Sequence, residues 1–313
     1  MKIIVFISEL APEVQSQWLI SIQNQLPNET IVLPEQINAS HAKDVNIAIV
    51  ANPDPAELAK YPNLVWIQSL WAGVEKLATV LASSPIKLVR LIDPQLAISM
   101  AESVLAWTLY LQRNMPDYAQ QQQRAQWHQL PCIASADLRV SVLGAGKLGV
   151  AALNALKKLD YQVSCWSRTP KQLDGIQSYN GTDALSTMLN NTDILINLLP
   201  LTPNTYHMLD EKLLAELPKG AKLINFSRGA VVDTEALLKL LETRHLSHAV
   251  LDVFEQEPLP SSNKLWHTPN VTVLPHISAP TNLQSASQIV AENIKCYREK
   301  YIIPDVVDSK TGY

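Results

Sequence analysis

The sequence predicts an α/β protein with two domains, each built on a mostly parallel β-sheet covered by helices. Three observations support this fold class. Short runs rich in valine, isoleucine and leucine alternate with helix-like stretches along the chain. One of these runs ends in a G-x-G-x-x-G turn. The 313 residues, 47% hydrophobic and 17% charged, suffice for two folded domains with large cores.

The first domain is expected to comprise residues 1–96 and 283–313. Its β-type runs are Ile3–Ile7, Ile31–Leu33, Val45–Val50, Leu64–Ile67 and Lys87–Leu91, and its helix-like stretches are Pro12–Gln25, Pro55–Lys60, Val74–Leu81 and the final Leu283–Lys300. The first run continues into Ser8 and Glu9, without a glycine-rich loop. We therefore interpret this part as a smaller, flavodoxin-like substrate domain that lacks a phosphate-binding turn.

A candidate substrate site lies where the fourth run ends and a helix begins. Trp71, Ala72 and Gly73 occupy this position, where unpaired N–H groups can hold a carboxylate. The Trp71 ring fits either a pocket wall or a packed core. Arg90 is a second candidate anion contact, although a surface arginine or one paired with Asp93 is the commoner case.

A long helix and a glutamine-rich segment precede the second domain. Ala97–Arg113 contains no Gly or Pro and has the apolar pattern of a long helix. Residues 118–129 contain six glutamines together with Arg124, Trp127 and His128. Two interpretations remain open, an exposed helix and loop or a dimerisation arm, because aromatic and arginine side chains anchor interfaces.

The second domain is expected to span residues 97–282. Its six β-type runs are Val140–Leu143, Gln162–Trp166, Ile194–Leu198, Lys222–Phe226, His248–Val253 and Val271–Leu274. Helix-like stretches separate them at Val150–Leu159, Thr182–Leu189, Glu211–Leu217 and Thr234–Glu242. Six strands is the number expected for a Rossmann sheet.

The glycine turn after the first of these runs predicts a dinucleotide site. Gly144 permits a tight turn, Gly146 lets the backbone approach a pyrophosphate, and Gly149 lets the helix pack on its strand. Lys147 and Leu148 lie between them, at the helix N-terminus whose free N–H groups attract phosphate. A structural glycine turn is the alternative, but the flanking strand and helix favour the cofactor site.

The tip of the next strand indicates which dinucleotide is bound. The run ends in Ser167, Arg168 and Thr169, without the acidic residue that binds the ribose 2′-hydroxyl of NAD. The Arg168 guanidinium matches the geometry of a phosphate, although a bystander surface arginine is the alternative. The sequence therefore predicts NADPH/NADP as cofactor, with NADH less favoured.

Three polar residues follow the later runs, at the edge of the sheet where ligands bind. Each of Arg228, Glu257 and His276 has an ordinary structural explanation when taken singly. Together they match the reduction of a 2-keto acid: Arg228 to hold the carboxylate and polarise the ketone, and His276 to give a proton to the developing alkoxide. Glu257 would fix the ring tautomer of His276 and favour its charged form.

Composition excludes several other classes of function. A formal net charge of −4 gives no overall basic surface and argues against nucleic acid as a partner. Cys132, Cys165 and Cys296 are widely spaced and odd in number, so we expect free thiols and no metal site. Because no apolar run reaches the roughly eighteen residues of a membrane span, we expect no membrane partner and a cytoplasmic location.

The ordered motifs resemble those of the D-isomer-specific 2-hydroxyacid dehydrogenases. The resemblance covers nearly the whole chain and rests on the segments 144–149, 199–202, 225–229, 252–258 and 275–276. Residues 71–74, 90–91 and 166–169 are similar to the bacterial glyoxylate/hydroxypyruvate reductase branch of that family. Two departures are the missing acid at the tip of the second strand, which puts NAD preference in doubt, and Glu75, where many relatives carry aspartate.

The resemblance implies a function and further site residues. It implies that Arg228, Glu257 and His276 are catalytic, that the backbone near Trp71 helps to bind the substrate carboxylate, and that the chain forms a homodimer. It also places four residues near the cofactor: Leu199, Pro200, Asp252 and Ser278. The expected activity is NADPH-dependent reduction of glyoxylate and hydroxypyruvate. A dehydrogenase for another 2-keto acid, such as pyruvate or phenylpyruvate, and a non-enzymatic nucleotide sensor are the alternatives.

Overall fold

The structure is a computed structural model, and it describes residues 3–308. The chain divides into two compact units. One takes in the described residues up to Gln95 and from Thr281 onward, and the other spans Leu96–Pro280. The boundaries lie after residues 95 and 280, one and two residues before the predicted boundaries after 96 and 282.

Strands and helices alternate along both units. The strands are β1 (Ile3–Ser8), β2 (Thr30–Val32), β3 (Val45–Ala51), β4 (Trp66–Ser69), β5 (Lys87–Val89), β6 (Arg139–Leu143), β7 (Gln162–Trp166), β8 (Gln177–Tyr179), β9 (Ile194–Asn197), β10 (Ala221–Asn225), β11 (Leu246–Leu251) and β12 (Val271–Val273). The helices are α1 (Pro12–Gln25), α2 (Pro55–Leu58), α3 (Glu75–Leu81), α4 (Pro94–Gln112), α5 (Met115–Gln123), α6 (Lys147–Lys157), α7 (Thr182–Leu189), α8 (Glu211–Leu214), α9 (Thr234–Glu242) and α10 (Leu283–Lys300).

The first unit contains a five-stranded sheet in the order β2-β1-β3-β4-β5, with every neighbouring pair parallel. This is the flavodoxin-like order, as the sequence predicts. The β1 strand is buried on both faces, because Ile4 and Phe6 join one apolar cluster while Val5 and Ile7 join another. The α10 helix belongs to this unit and contributes Val290 and Ile294 to the first of these clusters.

The second unit contains a parallel sheet in the order β12-β11-β10-β9-β6-β7-β8. This is the Rossmann order with one further strand, so the α/β fold class is confirmed. The predicted number of strands was wrong, because the sheet has seven strands rather than six. The strand that was missed, β8, is a three-residue edge strand of Gln, Ser and Tyr that contains no aliphatic run to signal it.

The segment between the two sheets begins earlier than expected. The α4 helix starts at Pro94 rather than Ala97, since proline is well tolerated in a first helical turn. The α5 helix spans Met115–Gln123 and takes in the first half of the glutamine-rich segment, and residues 124–134 that follow it form no helix or strand. Trp127 lies in this irregular stretch, and 98% of its surface is exposed. Among residues 3–308, the helices all fall short of the length or apolarity needed to cross a membrane.

Candidate active site

The glycine turn between β6 and α6 has the geometry that a dinucleotide requires. Gly144 has a φ of +100°, and a Cβ there would lie 2.7 Å from the carbonyl oxygen of Leu198. A Cβ on Gly149 would lie 1.8 Å from the carbonyl oxygen of Gly144, so this glycine is needed for packing of the helix. A Cβ on Gly146 would meet no protein atom within 4 Å. The turn is therefore tight on its protein side and open at Gly146, where a pyrophosphate would lie.

The N-terminus of α6 faces the same opening. Gly146 is the N-cap residue and offers no side-chain cap to the first turn. Gly146 and Lys147 are exposed, Leu148 is half-buried and Gly149 is buried. The free N–H groups and the positive end of the helix dipole at this position suit a phosphate.

The loop after β7 presents Arg168 to solvent. Ser167 is buried, and its N–H donates to the carbonyl of Tyr179 at 3.1 Å. Ser167 Oγ donates to the carbonyl of Thr169 at 2.8 Å, which closes the loop on itself. Arg168 and Thr169 are exposed on the outside of this loop. Ser167 thus shapes the loop, and Arg168 is exposed on its outside.

Two buried asparagines join the ends of β9 and β10. Asn197 Nδ2 donates to Asn225 Oδ1 at 3.0 Å, and Asn225 Nδ2 donates to the carbonyl of Arg228 at 3.1 Å. The carboxamide oxygens accept the N–H groups of Leu199 at 3.2 Å and Ser227 at 3.3 Å. Ser227 Oγ also donates to the carbonyl of Leu199. This network fixes the loop after β9 against the loop that carries Arg228.

Leu199 and Pro200 begin the loop after β9. Leu199 is buried and Pro200 is half-buried. Thr205 Oγ1 donates to the carbonyl of Pro200 at 2.6 Å and accepts the N–H of Thr202 at 2.8 Å. Hydrogen bonds from one threonine therefore hold the turn that Pro200 opens.

The Arg228 loop packs against the next loop of the same edge. Arg228 is half-buried, and its Nη1 donates to the carbonyl of Ser227 at 2.7 Å. A Cβ on Gly229 would lie 2.0 Å from the carbonyl carbon of Phe254 and 2.4 Å from the backbone nitrogen of Glu255. Only glycine permits this approach, so the loops after β10 and β11 are in direct backbone contact.

Asp252 lies buried at the end of β11 and organises the loop after β12. Its Oδ1 accepts the N–H of Ile277 at 2.7 Å, and its Oδ2 accepts the N–H of Ser278 at 2.8 Å. Its carbonyl accepts the N–H of His276 at 3.0 Å. The carbonyl of Ser278 in turn accepts a hydrogen bond from Ser103 Oγ at 2.5 Å. Both carboxylate oxygens of Asp252 thus hold the backbone that carries His276.

His276 and Glu257 are in contact. Nδ1 of His276 lies 2.7 Å from Glu257 Oε2, and Glu257 Oε1 accepts the N–H of Phe254 at 2.8 Å. The His276 side chain is 51% exposed and that of Glu257 is 34% exposed. Because Nδ1 faces the carboxylate, Nε2 is the nitrogen that the ring offers to a ligand.

The structure brings the loops of Arg228, Glu257 and His276 together at one edge of the second unit. Asp252 and Ser278 belong to the same cluster of loops. Sequence reasoning assigned no role to Asn197, Asn225 or Gly229. Asn225 and Gly229 belong to the same motif as Arg228, so the motif could have indicated that they take part in the site. Nothing in the sequence distinguishes Asn197.

Trp71, Ala72 and Gly73 belong to the first unit and follow β4. The Trp71 ring packs edge-on against Trp18, with ring centroids 6.0 Å apart, so its ring takes part in a packed core. The N–H of Trp71 donates to Ser69 Oγ at 3.0 Å. Within residues 3–308, the N–H groups of Ala72 and Gly73 donate no hydrogen bond.

Comparison with known proteins places these features in a family. The sequence profile of the D-isomer specific 2-hydroxyacid dehydrogenase NAD binding domain matches residues 105–278. The chain is 36% identical over 304 residues to the glyoxylate/hydroxypyruvate reductase A of Photorhabdus laumondii, a match that covers 95% of this chain and 96% of that protein.

Two solved structures are similar over the whole chain. A D-isomer specific 2-hydroxyacid dehydrogenase from Xanthobacter autotrophicus Py2, in complex with NADPH and MES, is 34% identical with a TM-score of 0.91, covering 100% of this chain and 99% of that one. An NADPH-dependent glyoxylate/hydroxypyruvate reductase from Sinorhizobium meliloti, in complex with NADP and sulfate, is 27% identical with a TM-score of 0.91, covering 100% of both chains.

Proposed function

The chain belongs to the D-isomer specific 2-hydroxyacid dehydrogenase family, and on this premise we propose that it reduces small 2-keto acids with NADPH. The substrates are glyoxylate, which gives glycolate, and hydroxypyruvate, which gives D-glycerate. The observation that carries the proposal is the 2.7 Å contact between His276 and Glu257 at the sheet edge that also holds the Arg228 loop. A dinucleotide turn alone would fit many activities, whereas this cluster fits acid catalysis on a ketone.

The residues present fit NADPH. The opening at Gly146 has room for the pyrophosphate, because a Cβ there would meet no protein atom within 4 Å. Arg168 would bind the 2′-phosphate, and Leu199, Pro200, Asp252 and Ser278 would lie near the nicotinamide. The bound cofactor supplies the hydride that converts the carbonyl carbon of the substrate to an alcohol carbon. The relatives from Xanthobacter and Sinorhizobium, which are solved with NADPH and NADP, support this choice.

His276 supplies the proton. In the imidazolium form Nδ1–H would donate to Glu257, and Nε2–H would donate to the 2-carbonyl oxygen of the substrate. When that carbonyl is reduced, the Nε2 proton would pass to its oxygen and the ring would become neutral. Glu257 keeps the ring orientation fixed throughout, and its own position is fixed by the N–H of Phe254.

Arg228 binds the substrate anion and polarises the carbonyl. A guanidinium offers two parallel N–H donors, which match a carboxylate or a carboxylate and the adjacent ketone oxygen. The carbonyl of Arg228 is held by Asn225, so the base of the side chain is fixed before substrate arrives. For the first unit, taken by itself, we propose that the N–H groups of Ala72 and Gly73 donate to a carboxylate and that Trp71 belongs to the same substrate-binding segment.

A substrate panel with both cofactors tests the proposal. Values of kcat/KM are measured for glyoxylate, hydroxypyruvate, pyruvate and phenylpyruvate with NADPH and with NADH. We expect glyoxylate or hydroxypyruvate with NADPH to give the highest value. A preference for phenylpyruvate would indicate a different dehydrogenase, and tight NADPH binding without turnover on any substrate would favour a nucleotide sensor.

We also propose a homodimer formed through the second unit, in the cytoplasm. Segment 115–133 exposes Met115, Trp127 and Ile133 to 46%, 98% and 52%, which supports its role as an interface arm. Free thiols at Cys132, Cys165 and Cys296 suit a reducing compartment. Sedimentation equilibrium should give twice the chain mass of 34.7 kDa, and Trp127→Ala should shift the equilibrium towards monomer.

A further inference from the structure

A second histidine–carboxylate pair lies beside the proposed catalytic cluster. His207 Nε2 is 2.9 Å from Glu255 Oε1, with the two side chains 33% and 45% exposed. Glu255 and Glu257 stand on the same short loop after β11, and each contacts a histidine from a different segment. The loop that orients His276 is therefore held at a second point, by His207.

The backbone at His207 is tied to the Arg228 loop. The N–H of His207 donates to the carbonyl of Ala230 at 2.8 Å, and the N–H of Leu209 donates to the carbonyl of Val231 at 3.0 Å. His207 has a φ of +47°, a left-handed conformation that only a few per cent of non-glycine residues adopt, histidine more often than most. Such a conformation persists only where surrounding contacts enforce it.

The imidazole of His207 is also fixed in orientation. The Tyr206 ring stacks on it with centroids 4.1 Å apart and planes inclined by 14°. With the ring plane set by this stacking, Nε2 is directed at Glu255 and carries the hydrogen that Glu255 accepts. The geometry of the pair therefore depends on a donor at the Nε2 position.

Glu255 connects this pair to the proposed catalytic groups in two directions. Its backbone nitrogen would lie 2.4 Å from a Cβ on Gly229, so it touches the residue next to Arg228. Two residues further along the chain is Glu257, which holds Nδ1 of His276. A shift of Glu255 would move both the Arg228 loop and the Glu257 carboxylate.

We propose that His207 is a positioning residue, which sets the relative placement of Arg228 and the Glu257–His276 pair through Glu255. This inference rests on the proposed function for its effect on catalysis. His207 itself touches neither substrate nor cofactor in this proposal. Loss of the contact would lower kcat, because the proton donor and the anion clamp must be aligned in the transition state, and would leave NADPH affinity unchanged.

Two matched variants separate positioning from a general loss of stability. His207→Gln places an amide N–H near the former Nε2, whereas His207→Asn places it near the former Nδ1 and cannot reach Glu255. We expect His207→Asn to lower kcat for glyoxylate reduction about tenfold and His207→Gln to stay within about threefold of wild type, with KM for NADPH within about twofold in both. His267→Asn, at an exposed histidine of the same unit, is the control.

A double-mutant comparison tests the route through Glu255. Glu255→Ala should cause the same loss of kcat as His207→Asn, and the double variant should lose no more than either single variant. Equal kcat values for the Asn and Gln variants, or additive losses in the double variant, would overturn the inference. A melting temperature of His207→Asn below that of His207→Gln by enough to explain the loss would overturn it as well.

Hydrogen exchange gives a readout that does not depend on the substrate. Amides of residues 229–231 and 254–257 should exchange faster in His207→Asn than in wild type or His207→Gln. Unchanged exchange in these segments would overturn the positioning role. If wild type reduces no 2-keto acid while exchange responds as expected, the proposed function fails and the positioning role stands.

Discussion

At the scale of single residues, His276 shows how the backbone prepares a side chain for chemistry. Its φ is +56°, in the left-handed region that residues other than glycine seldom adopt. Asp252 holds this conformation, because it accepts the N–H groups of His276, Ile277 and Ser278. The ring is then fixed by Glu257 at 2.7 Å. Three backbone hydrogen bonds to Asp252 and one ring hydrogen bond to Glu257 therefore hold His276 in one orientation, as the proposed proton donor would need.

The proposed role of His276 as the acid predicts how the reductive reaction depends on pH. If the imidazolium gives the proton, kcat/KM for glyoxylate reduction should fall with rising pH, because fewer molecules then carry the proton that is donated. The measurement is initial rate against pH at saturating NADPH. A rate that stays constant from pH 5.5 to 9 would contradict the role of His276 as acid.

Arg168 tests the choice of cofactor. Arg168→Ala removes a charge-assisted contact to the 2′-phosphate and should raise KM for NADPH about 10- to 100-fold while changing KM for NADH less than about threefold. Lys158→Ala removes an exposed positive charge after the far end of α6 and serves as the control. Equal effects of Arg168→Ala on the two cofactors would refute the assignment.

At the scale of secondary-structure elements, the β6–α6 turn separates binding from folding. Gly149 allows the helix to pack on the backbone of Gly144, and Gly146 lines open space. Glycine therefore serves packing of the helix at position 149 and leaves room for a ligand at position 146. Alanine substitutions distinguish them because a Cβ costs stability only where it meets protein.

Gly149→Ala should mainly lower the stability of the fold, whereas Gly146→Ala should mainly weaken NADPH binding. A Cβ at position 149 would lie 1.8 Å from a backbone oxygen, so we expect Gly149→Ala to lower the free energy of unfolding by about 3 kcal/mol or more. Gly146→Ala should lower it by less than about 1 kcal/mol and weaken NADPH binding at least tenfold. Urea unfolding and fluorescence titration with NADPH measure the two effects. Tight NADPH binding by Gly146→Ala would contradict a pyrophosphate at the turn.

The β11 strand carries a buried histidine that makes stability depend on pH. Burial, and secondarily the charge of Lys222, lowers the pKa of His248 from 6.5 to about 4. His248 is 6% exposed, and its Nε2 lies 2.9 Å from Thr272 Oγ1. Because the folded-state pKa lies below the unfolded value, the unfolded chain takes up the proton first as pH falls. The contribution to stability is complete above pH 6.5 and is lost towards pH 4.

His248→Gln should remove this pH dependence. Glutamine keeps an N–H donor for Thr272 and does not titrate. Between pH 7.5 and 4.5 the free energy of unfolding of wild type should fall by about 2 to 3 kcal/mol more than that of His248→Gln. Urea denaturation at both pH values measures the difference, with His267→Gln as an exposed control. Parallel pH dependence in wild type and His248→Gln would refute the assignment to this histidine.

At the scale of the whole molecule, the alternation of apolar runs with helix-like stretches, together with the glycine turn, predicted the fold class and most elements. The bounds predicted for α1, α7, α9 and α10 agree with the structure. For α9 and α10 the reason is local, because Asp233 and Asn282 cap their first turns. The β8 strand was not predicted, because none of its three residues is aliphatic. The bounds of an element could be predicted from the sequence wherever the contacts that stabilise it are between residues close in sequence.

The contacts within the candidate site could not be predicted in the same way. Asn197 and Asn225 are 28 residues apart, and His207 and Glu255 are 48 apart. Their meeting depends on β9, β10 and β11 being neighbours in the sheet and on the side-chain geometry at the strand ends. The sequence predicts that polar residues gather at the edge of a parallel sheet, whereas the pairs they form require the folded structure.

The proposed role of His276 in reducing glyoxylate is tested by comparing NADPH oxidation in the presence of glyoxylate between wild type and His276→Ala. We expect wild type to oxidise NADPH in proportion to the glycolate formed. His276→Ala should bind NADPH with unchanged affinity and lose at least about a hundredfold in kcat, because it lacks the proton donor. Glyoxylate reduction by His276→Ala at the wild-type rate, or no glycolate from wild type, would contradict the account.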